Sequence, residues 1–148
     1  MAARIARHQA DRAVRVPGLR TVEEPLALAQ AIQAHSQPDT LLVVDCLTLW
    51  LTNWRMPMHP VAMSNSESNQ AVGHASIEPV ALLLEAIMAA PGPLVLVGNE
   101  IGLGVIPMGA EVRAFVDALG RLNQQVAEVC ARVTLMAAGL PLTLKAPA

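Results

Sequence analysis

Two short apolar runs with no polar alternation, at 41–46 and 94–97, dominate the hydropathy pattern of this chain. Leu41-Leu42-Val43-Val44-Asp45-Cys46 is Leu and Val up to its closing carboxylate, and Leu94-Val95-Leu96-Val97 runs unbroken into Gly98-Asn99-Glu100. Such runs predict central strands of a parallel sheet, covered on both faces. Between them, 47–54 and 77–90 read as helices. Pro79 falls in the first turn of the second helix, where no intrahelical bond is lost, so the stretch can supply the crossover that parallel strands require. The clearest helical stripe lies at 108–132, where Val112, Phe115, Val116, Leu119, Leu122, Val126 and Val129 recur at three- and four-residue steps. Asp117/Arg121 and Glu128/Arg132 sit on its outer face, acid before base. Elsewhere the pattern predicts a helix at 1–12, a turn at Val16-Pro17-Gly18, a short strand at 20–22 and a helix at 23–35 ended by Ser36-Gln37-Pro38-Asp39. Two terminal strands, 133–138 and 141–145, flank Gly139. Strands alternating with helices make an α/β layered domain. Residues 57–75, rich in Met, His, Ser and Asn and without periodicity, read as a flexible loop.

At 148 residues the whole chain, 1–148, is expected to form one domain. Apolar residues make up 53% and charged ones 15%, which favours a buried sheet or a subunit interface. The aromatic content of 2%, without Tyr, leaves no platform for stacking bases, and a net charge of −2 disfavours a broad nucleic-acid or anionic-membrane surface. No apolar run approaches the ~20 residues that cross a bilayer, and no secretory signal pattern opens the chain, so no membrane span and a cytoplasmic location are expected. Cys46 and Cys130 lie outside any metal-like spacing and read as small buried side chains in a reducing compartment.

The residue types that carry chemistry fall in three places. His8 stands among Arg4, Arg7 and Arg12. An imidazole there can attack phosphorus while guanidinium groups hold phosphate oxygens, or it is simply an exposed helix histidine. Asp45 closes the first apolar strand, at the edge where open α/β sheets bind ligands; it suits a Mg²⁺-linked carboxylate, or a cap for the next helix, which Thr48 could also assist or cap. Asn99-Glu100-Ile101-Gly102-Leu103-Gly104, running on to Pro107, closes the second strand. Its glycines let the backbone approach a ligand, or serve turn geometry alone, and their spacing is not a dinucleotide fingerprint. Glu23 and Glu24 suit the positive end of a helix. Arg113 and Arg121 read mainly as solvated or paired. Met56, Met58, His59 and Met63 make a weak soft-metal pattern that a surface loop explains as well. A Gly-x-x-x-x-Gly-Lys-[Ser/Thr] phosphate loop is not among these residues.

In order, the chain reads Arg-Ile-x-x-His-x-x-x-Arg, Arg-Thr-x-Glu, Val-Asp-Cys-Leu-Thr, Val-x-Asn-Glu-Ile-Gly-x-Gly-Val-Ile-Pro, Gly120-Arg-Leu-Asn-Gln124, and a tail from Val133 through Gly139 to Lys145. From Met1 to Lys145, interrupted only at 57–75, this order and spacing resembles the bifunctional adenosylcobinamide kinase/adenosylcobinamide-phosphate guanylyltransferases of cobalamin biosynthesis. The resemblance implies a P-loop NTPase-like fold with a mostly parallel central sheet and a C-terminal strand pair, assembled as a homotrimer. It implies phosphorylation of the aminopropanol hydroxyl of adenosylcobinamide, with ATP or GTP as donor and Mg²⁺ as cofactor. It further implies transfer of GMP from GTP to adenosylcobinamide phosphate through a guanylyl-histidine at His8. Gln9, Ala10, Asp11, Arg12 and Glu23 match nucleotide contacts, and Asp45 matches the acid near phosphate and metal. The family pattern opens with a strand, the glycine-rich loop, a helix and a second strand that have no counterpart here, so the sequence is expected to be an N-terminally truncated member. A non-catalytic remnant, or a module for oligomerisation or corrinoid binding, is the alternative.

Overall fold

A computed structural model describes residues 15–56, 78–104 and 107–147. The expected helix at 1–12, with His8 through Arg12, and the expected loop at 57–75 lie outside the described residues. The elements run α1 (Leu28–His35), β1 (Leu42–Asp45), α2 (Leu47–Arg55), α3 (Glu78–Ala89), β2 (Leu94–Val97), α4 (Ala110–Val129), β3 (Val133–Ala137) and β4 (Leu140–Lys145). β1 and β2 pair in parallel, Leu42 with Leu94 through Asp45 with Val97. β3 and β4 form a separate antiparallel pair, so among the described residues the parallel sheet has two strands and the hairpin does not extend it.

The core lies on one face of the parallel pair. Strand side chains alternate between faces; Leu42, Val44, Leu94 and Leu96 join the buried set built around Ile32, Leu83, Leu119 and Leu122. Helix α3 packs on both α1 and α4, and α2 packs on α4. Val43, Val95 and Val97 face the other way and are 51%, 46% and 40% exposed. The expectation of strands covered on both faces is therefore corrected: within the described residues the helices cover one face only. Cys46 and Cys130 are half-buried rather than buried. Burial still pushes the Cys130 thiol up, partly offset by the charge of Lys145.

Three local boundaries differ from the hydropathy reading, each for a stated reason. Residues 20–22 form no strand. The first helix starts at Leu28 rather than 23, because Pro25 disfavours helical backbone at Glu24. Instead Glu24 Oε1 accepts hydrogen bonds from the Leu26 and Ala27 amides at 2.9 and 2.7 Å, turning the chain into the helix. The long helix ends at Val129, before Arg132, with extended backbone at Cys130. Lys145 Nζ donates to the carbonyls of Ala127 and Glu128 at 2.9 and 2.8 Å, so the end of β4 supplies the cation that a helix C-terminus favours. The hairpin turns through Ala138 (φ 52°) and Gly139 (φ 77°), the two left-handed positions of a tight two-residue connection.

Two ties set the layers in register. Both tryptophans of α2 donate to one carbonyl, Leu26 O, Trp50 at 2.9 Å and Trp54 at 3.0 Å, while Asn53 donates to Pro25 O at 3.2 Å. At the opposite end of the strands, the buried Ser36 Oγ accepts from the Gly92 amide at 3.3 Å. Gly92 is obligatory there, since a Cβ would collide with the Gln37 carbonyl. Among the described residues, no helix is long and apolar enough to cross a membrane.

Leu83 is fully buried between the helices. Leu83→Ala is expected to cost about 2–5 kcal/mol of unfolding free energy, measurable by urea denaturation, without changing the secondary structure seen by circular dichroism. The two amides hold the Glu24 carboxyl below its ordinary value of 4.5. Its contribution is therefore complete above that value and is lost as pH falls through the lowered one. Glu24→Ala should melt below the parent at pH 7, and the difference should vanish in acid.

Candidate functional site

Parallel pairing brings the two strand tips together. Asp45 ends β1 opposite Val97 and is exposed. The next residue, Cys46, is the N-cap of α2, its Sγ accepting from the Leu49 amide at 3.4 Å. The cap position that Asp45 was a candidate to fill is thus taken by its neighbour.

Thr48, in the first turn of α2, reaches across to the other strand tip. Its Oγ1 accepts from the Asn99 amide at 3.0 Å and from Asn99 Nδ2 at 3.2 Å. From the third side, Asn123 of α4 donates through Nδ2 to Asn99 O at 3.1 Å and to Glu100 Oε1 at 2.8 Å. Gly98 lies beside this knot: a Cβ there would sit 3.4 Å from Asn123 Oδ1, at ordinary contact distance. Asp45, Thr48, Asn99, Glu100 and Asn123 therefore converge at the carboxyl edge of the parallel pair, the edge at which open α/β sheets bind ligands. The arrangement offers oxygen donors suited to a hard cation, and amide groups fixed in direction by their own hydrogen bonds.

Asn123 entered the sequence reading only within Gly120-Arg-Leu-Asn-Gln124, with no role of its own. The signal was there: with Leu119, Leu122 and Val126 it completes an i, i+3, i+4, i+7 stripe, so a polar residue faces inward. Thr48 neither caps nor stands alone, but latches the second strand tip. Glu23 is exposed and lies in the irregular segment before α1. The indole and Asn53 bonds hold that segment to the last two turns of α2, whereas Asp45 precedes the first. His8, Gln9, Ala10, Asp11 and Arg12 lie outside the described residues. Among the described residues, no three His, Cys, Asp or Glu side chains gather as a metal cage.

Past the knot, the loop walls a cavity of about 290 Å³. Ile101, Gly102 and Gly104 line one side, with Arg113, Val116 and Asp117 of α4 on the other. Arg113 Nη1 donates to the carbonyls of Pro107, at 3.0 Å, and Met108.

The family model described as cobinamide kinase / cobinamide phosphate guanyltransferase matches residues 1–144. The bifunctional adenosylcobalamin biosynthesis protein CobP of Pseudomonas aeruginosa is 42% identical over 145 residues, covering 98% of this chain and 75% of that protein. The bifunctional adenosylcobalamin biosynthesis proteins CobU of Escherichia coli and Salmonella typhimurium are 32% and 30% identical, each over 98% of this chain and 78% of their own length. With residues 1–144 of its 148 matched by the family model, the chain belongs to the cobinamide kinase / cobinamide phosphate guanyltransferase family, transferases of cobalamin biosynthesis.

Proposed function

We propose that this chain takes part in both reactions named for its family: phosphorylation of the adenosylcobinamide hydroxyl by ATP or GTP, and transfer of GMP from GTP to adenosylcobinamide phosphate through a guanylyl-histidine at His8. The observation that carries this reading is the family match from residue 1, which takes in the His8 segment together with the strand-end cluster. A histidine with an ordinary pKa of ~6.5 is largely neutral at pH 7, so a ring nitrogen has a free electron pair. Attack on the α-phosphorus forms an N–P bond as the bond to the α,β-bridging oxygen breaks, and pyrophosphate leaves with that electron pair. An oxygen of adenosylcobinamide phosphate then attacks the same phosphorus, the N–P bond breaks and the imidazole is restored. Gln9, Ala10, Asp11 and Arg12 beside the nucleophile, with Glu23, hold the nucleotide, and the Arg12 guanidinium opposes charge gathering on phosphate oxygens.

Asp45 would hold Mg²⁺. An exposed carboxylate at a strand tip, with no three-residue protein cage among the described residues, suits a cation that binds through one or two carboxylates, substrate phosphates and water. When bound, Mg²⁺ supplies charge neutralisation at the phosphate oxygens. A P-loop NTPase-like fold, a single domain over 1–148 with a flexible loop at 57–75, and a homotrimer belong to the same proposal. The exposed apolar face of Val43, Val95 and Val97 is compatible with further covering polypeptide.

Incubation with α-labelled GTP and Mg²⁺ should give an acid-labile label on the chain that is absent from His8→Ala. Equal labelling of the variant would overturn the assignment of the nucleophile. An unlabelled parent would leave a non-catalytic corrinoid-binding or oligomerisation module as the reading. Asp45→Asn should slow labelling on the order of a hundredfold and raise the Mg²⁺ concentration needed for half-maximal rate, as read from initial rates across a Mg²⁺ series.

A further inference from the structure

The cavity behind Glu100 has the wrong electrostatics for a nucleotide. Among the described residues its charged lining is one cation and one anion, Arg113 and Asp117, one helical turn apart. Arg113 already spends an Nη1 on two backbone carbonyls. A triphosphate would meet an exposed carboxylate and half-committed cationic help, whereas a neutral hydroxyl or amide can donate to Asp117 and accept from Arg113. Ile101 and Val116 supply apolar walls, and Gly102 and Gly104 expose backbone. At about 290 Å³ the space falls just short of pockets that enclose a whole drug-sized ligand, about 300–1,000 Å³, so it suits one arm of a larger molecule.

What surrounds the cavity fits the rest of such a molecule. Leu103, Met108 and Val112, each adjacent in sequence to a lining residue, are 76%, 98% and 48% exposed. Apolar side chains set out in solvent beside a concave site mark a contact surface for a broad apolar partner. The strand-end knot adjoins on the other side, because Glu100 immediately precedes Ile101 and is held by Asn123.

We propose that this cavity is the acceptor subsite: it takes the short, neutral, hydroxyl-bearing amide arm of cobinamide, with the corrin ring resting on the Leu103, Met108 and Val112 rim. The arm's hydroxyl end is then delivered toward the strand-tip cluster. This inference rests on the function proposed above for its choice of ligand, but it concerns a different half of the reaction from His8.

Gly102 and Gly104 allow a direct test. Neither lies in the left-handed backbone region, and a Cβ would make only ordinary contacts, 3.9 Å to Val116 Cγ1 at Gly102 and 3.7 Å to the Ile101 carbonyl at Gly104. Leu at either position should fold and occupy the cavity. Equilibrium dialysis with cobinamide, followed by its visible absorption, should give saturable binding to the full parent chain, with Kd raised on the order of tenfold or more in both Gly102→Leu and Gly104→Leu. A corrinoid bearing a carboxylate in place of the hydroxyl arm should bind the parent more weakly than cobinamide, and Asp117→Asn should narrow that difference. Absence of cobinamide binding to the parent, or unchanged Kd in both leucine variants with unchanged melting temperature, would overturn the subsite. The α-labelled GTP experiment reports separately: label on His8 with no effect of cavity filling on cobinamide removes this inference alone. Cobinamide binding that the leucine variants weaken, without label, removes the catalytic reading and keeps the subsite.

Discussion

Parallel strands cannot be closed by a hairpin, and that constraint organises the molecule. To return beside β1 in the same direction, the chain must pass through a crossover long enough to carry helices, and those helices must bury their apolar sides against the strands they connect. Leu42, Val44, Leu94 and Leu96 provide the strand side of that contact; Leu83 of the crossover helix α3 provides the helix side, joined by Leu119 and Leu122 of α4, which follows β2. The same pairing puts Asp45 level with Val97, so the two polar tips emerge at one edge. Thr48 and Asn123 add the bonds that keep them there, and they come from α2 and α4, which pack on one another. Core packing and the polar cluster are thus one assembly. A shift of α4 against the sheet would move Asn123 away from Asn99 and Glu100.

The double indole contact performs the corresponding task at the other end of α2. A carbonyl has two lone pairs, and Leu26 O accepts from both Trp50 and Trp54. The indoles sit four residues apart on one helix, so the bonds fix the approaching segment in direction as well as distance. Glu24 turns that segment into α1, and Glu23 goes with it. Glu23, one of the proposed nucleotide contacts, therefore lies in a segment that α2 holds, while α2 starts just past Asp45 and carries Thr48.

Much of this was legible in the sequence, and the reason is periodicity. The inward faces of the apolar strands, and the part of the helical stripe from Phe115 to Val126, survive any local context because burial enforces them. The failures share another cause. At 23–27 the apolar pattern continues, but Pro25 and a side-chain bond from Glu24 override it. At 20–22 β-propensity had no partner strand among the described residues to act on. The exposed face of Val43, Val95 and Val97 could not be foreseen, because a run apolar on both sides does not say which polypeptide covers each side. Asp45 and Asn99 were readable as strand tips. Asn123, 24 residues beyond Asn99, joined them only through the packing of α4; the sequence marked it by its inward polar position and by its place in the Gly120–Gln124 motif, without giving it a role.

The cluster and the cavity divide two kinds of chemistry along one loop. Before Gly102, polar side chains are tied to each other and to backbone at 2.8–3.2 Å, an ordered arrangement that costs little reorganisation when charge develops nearby. After it, the lining turns apolar and charge-balanced, with apolar side chains exposed alongside. Phosphate chemistry needs the first environment and a largely neutral macrocycle with amide arms needs the second. An enzyme that joins a nucleotide to such a macrocycle has to present both within the reach of one bond-forming step. Under the proposed function, the Asn99-Glu100 tip, held from three elements, is where this chain would bring them together.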